Sequence, residues 1–200
     1  MGIHATAVLS CAILASFSTV VDPVGGMGLT PSRWAAFRSP LGVRSMATLH
    51  LMVGLPCSGK TTLAQELEHE LPALRLTPDE WQICLFGQDA EEPEHDARHS
   101  LIEAMLWNIA SRALELGTNV ILDYGLWARE ERENYRSRAK QLGASSEVHY
   151  LDVSEDELLR RLEERNSRPS HECFIISEEA MKPWIAFFQK PTSDELERRE

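Results

Sequence analysis

The sequence is short of cysteine, of positive charge and of long apolar runs. Its four cysteines, Cys11, Cys57, Cys84 and Cys173, have neither the CxxC spacing of a zinc or redox site nor the density of a disulfide-stapled domain. Free thiols in a reducing compartment, the cytoplasm, are expected. Twenty Lys and Arg face 31 Asp and Glu, a formal net charge of -11. Arg33, Arg38 and Arg44 face Asp22 in the first 45 residues, which leaves 17 basic and 30 acidic side chains in the remainder. That field repels polyphosphate backbones and disfavours a nucleic-acid partner, although a local basic groove can coexist with an acidic whole. No run of about 18 apolar residues occurs, so a membrane-spanning helix is not expected.

What is present fits one catalytic-sized domain. Two hundred residues at 43% hydrophobic and 26% charged composition can bury a core without disulfides or a structural metal. Residues 1–45 differ from the rest: an apolar stretch from Ala5 to Val21 is followed by a Gly/Pro/Ser-rich segment, Pro23 to Pro40. A signal peptide would carry positive charge before its apolar segment, and none is there; Arg33 to Ser45 supplies the Arg and Ser of a transit peptide only late. A disordered extension or an upstream start codon is the plainer reading, with the working domain at Met46–Glu200.

From Thr48 strand-like and helix-like segments alternate, as a parallel sheet with crossover helices requires. Strands are predicted at 49–53, 73–76, 119–122 and 147–151. Helices are predicted at 61–71, after Thr77, at 96–116, 129–142, 154–166 and 177–189. Leu101, Met105, Ile109 and Ala113 mark the apolar face of the long helix. Thr77 or Asp79 can cap the helix carrying Trp81, Ile83 and Leu85; Ser154 with Glu157 forms a capping box; Pro169 ends that helix. Gln88–Glu94 reads as a loop and Ser193–Glu200 as a solvated tail. No internal repeat is apparent.

Gly54-Leu55-Pro56-Cys57-Ser58-Gly59-Lys60-Thr61 fits GxxxxGK[ST] in full, between a strand and an amphipathic helix. Glycine lets the backbone curl so that successive N–H groups face a β-phosphate, and the helix N-terminus adds partial positive charge. Gly54, Pro56, Cys57, Ser58, Gly59, Lys60, Thr61 and Thr62 are the expected nucleotide-binding residues, with ATP as donor. Lys60 would reach the β- and γ-phosphates and the Thr61 hydroxyl would ligate Mg²⁺.

Asp79 follows the second strand, at the sheet end where ligands bind in open parallel sheets. It could take the proton of an attacking hydroxyl, or simply start a helix. Asp123 closes the apolar strand Val120–Leu122; it could hold the Mg²⁺ water shell, with Glu80 a weaker candidate, or be a turn residue before Gly125. Arg160, Arg161, Arg165 and Arg168 could supply a cis arginine finger or pair with Glu155, Glu157, Glu163 and Glu164; Arg165 and Arg168 are favoured for phosphate. His95 and His99 stand i, i+4 but lack a third ligand, so a solvated helix start is the simpler reading. Trp81, Trp107, Trp127 and Trp184 read as core or pocket wall, with Leu126-Trp127 beside Asp123 a candidate acceptor-pocket wall.

On these residues, the chain from about Leu49 to Glu195 resembles the P-loop kinases of the AAA-type ATP-binding group, of the zeta-toxin, chloramphenicol phosphotransferase and polynucleotide 5′-kinase kind. The resemblance implies an α/β three-layer sandwich with a parallel sheet in the order 2-3-1-4, sometimes with a fifth strand, helices on both faces and an arginine-bearing helical lid. It implies Asp79 as base, Arg165-Asn166-Ser167-Arg168 as lid residues on phosphate, and packing of Phe187–Thr192 near the adenine. Tyr124-Gly125-Leu126-Trp127 departs from the Asp-Gly-aromatic-Pro-Arg signature of adenylate kinases, which weakens a nucleoside monophosphate acceptor. The expectation is an ATP- and Mg²⁺-dependent kinase acting on a hydroxyl of a small molecule. Its alternatives are a polynucleotide 5′-hydroxyl kinase and a non-catalytic ATP-binding switch.

Overall fold

The computed structural model describes residues 46–168 and 173–200; the readings on residues 1–45, Cys11 among them, and on Pro169 lie outside these. The short apolar strands β1 (Thr48–Val53), β2 (Ala73–Leu76), β3 (Asn119–Leu122) and β4 (Ser145–Tyr150) form one sheet in the order β2-β3-β1-β4. All three pairings are parallel. Crossovers are made by α1 (Lys60–Glu70), α2 (Pro78–Phe86), α3 (His95–Glu115) and α4 (Arg129–Gln141). After β4 come α5 (Glu155–Ser167), α6 (Glu178–Phe187) and α7 (Ser193–Leu196). No fifth strand occurs among the described residues; the outer edge of β4 carries an isolated antiparallel bridge, Ser146 with Arg199.

Alternation along β1 divides its side chains between two layers. Leu49, Leu51 and Val53 pack with Val120, Leu122 and the inner faces of α3 and α4, while Met52 packs with Ile121 and Ala64 of α1. Three sequence expectations are corrected. The buried stripe of α3 is Ile102, Leu106, Ala110 and Leu114, whereas Leu101, Met105 and Ile109 are exposed; two adjacent stripes share the 3.6-residue period, and the sheet selects the one turned toward it. On α2, Trp81 and Leu85 are exposed while Gln82 is fully buried. Gln82 donates to Asp89, which also accepts from Arg98 and lies 2.9 Å from His95 Nδ1. The acidic Gln88–Glu94 loop is thus anchored by a buried carboxylate.

The tail is the third. Glu195 is buried against fully buried Arg132, and Arg136 donates to the carbonyl oxygens of Glu195 and Glu197. Glu195 is thus satisfied inside the domain, while Asp194, Glu197, Arg198 and Glu200 remain exposed as expected.

Candidate active site

At the carboxyl end of β1 the backbone turns sharply. Cys57 (φ 64°) and Gly59 (φ 99°) occupy the left-handed region, and a Cβ on Gly54 would lie 2.6 Å from Ser58 Oγ. The Gly54 N–H donates to Gly125 O over 3.3 Å, fastening this loop to the one after β3. Lys60 Nζ folds back to donate to Leu55 O over 3.0 Å. Burial pulls the Lys60 pKa down, against the attraction of Asp123 and then Asp79.

Asp123 ends β3 next to the loop, almost wholly buried. Burial raises its pKa, opposed by the Thr61 hydroxyl, by Lys60 and Arg75, and by Thr77. Thr77 Oγ1 donates to Asp123 Oδ2 over 3.3 Å, whereas Asp123 Oδ1 and the Ser58 hydroxyl are buried with no partner in the protein. Buried polar atoms left open in a concave site are where a ligand is expected. Glu80, the weaker metal candidate, is instead tied to Arg75 at 2.7 Å.

Asp79 is in the first turn of α2, with Thr77 at the N-cap, so capping does not occupy it. Its carboxylate is 58% exposed, with Oδ1 4.0 Å from His99 Nδ1. It shares with Lys60, Thr61, Thr62, Asp123 and Arg165 one cavity of about 490 Å³. Pro56, Cys57 and Gly59 line the same cavity; Gly54 and Ser58 shape the loop behind it. Arg165 donates through Nη2 to Phe174 O over 3.2 Å, and its Nε is buried without a partner.

The other arginines separate. Arg168 is exposed at the C-cap of α5, outside the cavity lining. Arg160 sits in a surface network with Glu157 and Glu164. Arg161 bonds Glu157, reaches the Cys57 and Ser58 carbonyl oxygens at 3.4 Å, and is not among the residues lining the cavity. His95 and His99 are absorbed into the Asp89 and Gln82 network rather than forming a metal clip.

Sequence reading missed Glu103, Glu131, Tyr124 and Phe174 as cavity residues. Glu103 follows His99 by one helical turn, and its Oε1 lies 3.4 Å from His99 Nε2; that spacing was the available signal. Trp127 does line the cavity, next to Trp184 at 5.5 Å between ring centroids. A smaller cavity of about 240 Å³, behind the loop, is lined by Leu55, Leu151, Val153, Ile185, Phe188 and Lys190 among others. No helix among the described residues is long and apolar enough to cross a membrane.

Residues 49–191 match the family model described as AAA domain. No curated protein matches the chain. Three solved structures share the fold. A chain of the Pnkp1/Rnl/Hen1 RNA repair complex aligns with a TM-score of 0.60 at 21% identity, covering 71% of this chain and 44% of its own length. Chaetomium thermophilum Kti12 in complex with ADP-AlF3 gives 0.55 at 22% identity, over 72% of this chain and 81% of that one. A sugar kinase from Janibacter sp. gives 0.53 at 17%, over 75% and 82%. This chain therefore spans less than half of the chain of the RNA repair complex that it matches, and at these identities the likeness establishes the fold alone.

Proposed function

The chain belongs to the AAA domain family, and from that premise we propose that it transfers the γ-phosphate of ATP to a hydroxyl of a small molecule. One observation carries the reading: a single cavity holds a phosphate-binding loop with its lysine, a buried half-satisfied carboxylate, an accessible carboxylate and a guanidinium.

The chain's own residues divide the work. The backbone N–H groups of the 54–59 loop and the N-terminus of α1 cradle the β-phosphate. Lys60 leaves Leu55 O to meet the β- and γ-phosphates, and Arg165 neutralises charge on the transferring group. Asp79 takes the acceptor proton; its accessibility suits a base that must meet a substrate rather than a protein partner. The smaller cavity at Phe188 and Lys190 takes the nucleoside end. Thr61 and the open Oδ1 of Asp123 are oxygen donors suited to Mg²⁺. When bound there, Mg²⁺ supplies positive charge against the triphosphate.

The test is acceptor-stimulated ADP release by the full chain with Mg²⁺-ATP, comparing wild type with Asp79→Asn. The expected result is turnover that the variant loses while it still binds ATP. Tight ATP binding with no stimulation by any alcohol would reject transfer in favour of a nucleotide-dependent switch.

A further inference from the structure

We infer that the acceptor is a cationic alcohol, an amine-bearing sugar, cyclitol or amino alcohol; this rests on the phosphotransferase reading and narrows it. Away from the phosphate loop the cavity carries the carboxylates of Asp79, Glu103 and Glu131. Among its described lining residues Lys60 and Arg165 are the sole Lys and Arg, and both stand at the phosphate end. Glu80 is answered by Arg75. Glu131 Oε2 accepts the Ala128 N–H over 2.9 Å in the first turn of α4, and no cationic side chain pairs with it among the described residues. His99 stands between Asp79 and Glu103, so two of the three carboxylates share one imidazole.

The walls agree with the charge. Tyr124, Trp127 and Phe174 give the acceptor half aromatic faces, which together with carboxylates favour a desolvated ammonium. Tyr124 is 7% exposed, and its hydroxyl and the Trp127 indole N–H have no partner in the protein. Both are donors that ring hydroxyls of a polyol would satisfy. An oligonucleotide would set its flanking phosphates against the same carboxylates with no Lys or Arg beyond Lys60 and Arg165 among the described lining residues, which disfavours a polynucleotide acceptor. A neutral polyol would bind but leave the negative charge unanswered. In the transfer, the acceptor oxygen bonds to the γ-phosphorus as the bond from that phosphorus to the β–γ bridging oxygen breaks. The hydroxyl proton passes to Asp79, and ADP leaves with the bonding pair.

The experiment pairs 2-deoxystreptamine with myo-inositol, and glucosamine with glucose, beside a 5′-hydroxyl oligonucleotide, on the full chain with Mg²⁺-ATP. The expected result is a KM at least about 10-fold lower for each amine than for its neutral counterpart, as one charge-assisted contact provides. Glu103→Gln should erase that gap by raising the amine KM about 10-fold more than the neutral KM. Glu131→Gln serves as the second variant if the first melts early. Equal or better use of myo-inositol or glucose, or transfer to the oligonucleotide, overturns the inference while the kinase reading stands. If nothing is phosphorylated, the kinase reading fails by itself, and calorimetric titration of 2-deoxystreptamine against myo-inositol into protein loaded with a non-hydrolysable ATP analogue decides the pocket's preference. Absence of preferential amine binding there overturns the inference.

Discussion

Arg132 Nε donates to Glu195 Oε2 over 2.7 Å, with the two side chains 0% and 1% exposed. The same guanidinium donates to the carbonyl oxygens of Leu126 and Trp127 at 3.0 and 3.2 Å. The C-terminal segment is thereby fastened to the loop that carries the cavity's aromatic wall. Removing one partner strands a buried charge, which costs about 3–5 kcal/mol. Glu195→Ala should lower unfolding free energy by that order in urea denaturation, and the double replacement Arg132→Met with Glu195→Leu should lose less than the single. A single-variant loss under about 1 kcal/mol would mean that water reaches the pair.

A second consequence concerns pH. His50 Nδ1 and His149 Nε2 are 3.0 Å apart across β1 and β4. Burial, then the neighbouring His149, pulls the His50 pKa down from 6.5 to about 4; Glu147 opposes this and Arg198 adds to it. Burial lowers His149 as well. The folded state therefore keeps these rings neutral where the unfolded chain protonates them, so stability is full above pH 6.5 and falls as pH drops toward 4. The loss from His50 alone is about 3 kcal/mol. Denaturant midpoints between pH 7 and 4 should trace it, and His50→Phe should flatten the slope. Asp89, held at a pKa of about 2 against its burial by His95, Arg98 and Gln82, acts in a separate window: its contribution is present above the ordinary carboxylate range near 3.8 and is lost as pH falls toward 2.

Much of this molecule is legible without coordinates because its signals are local. The 54–61 loop combines spacing, glycine positions and strand-to-helix context, and the short apolar strands are bounded by polar turns. What could not be read depends on partners distant in sequence. Glu195 looks like a solvated charge until Arg132, 63 residues away, is placed beside it. Gln82 looks like an outward helix residue until Asp89 and His99 surround it. The part of the cavity away from the phosphate loop is built from α2, α3, the loop after β3, the start of α4 and the segment before α6, and no pattern along the chain announces that meeting.

The long helix α3 gives a direct check of its register. Leu106 is fully buried between α3 and the sheet, while Met105, one residue earlier on an equally periodic stripe, is 52% exposed. Leu106→Ala should cost about 2–5 kcal/mol and Met105→Ala about 0.5 kcal/mol or less, measured by chemical denaturation. The reverse order would place the other stripe against the sheet.

The two arginines at the end of α5 should differ in the same decisive way. Arg165 lines the cavity with a buried Nε that has no partner, so one N–H of its fork is available to an incoming phosphoryl oxygen without breaking a protein contact. Arg168, three residues on, is exposed and faces no cavity group among the described residues. If Arg165 stabilises charge that develops during transfer, Arg165→Ala should lower kcat by about 10³-fold while changing ATP affinity by less than about 3-fold, because the interaction is strongest in the transition state. Arg168→Ala should stay within about 3-fold on both. Single-turnover rates with saturating acceptor, alongside equilibrium ATP binding, separate the two effects. A larger kcat loss from Arg168→Ala than from Arg165→Ala would mean that the end of α5 folds over the phosphates during transfer, and the role would pass to Arg168.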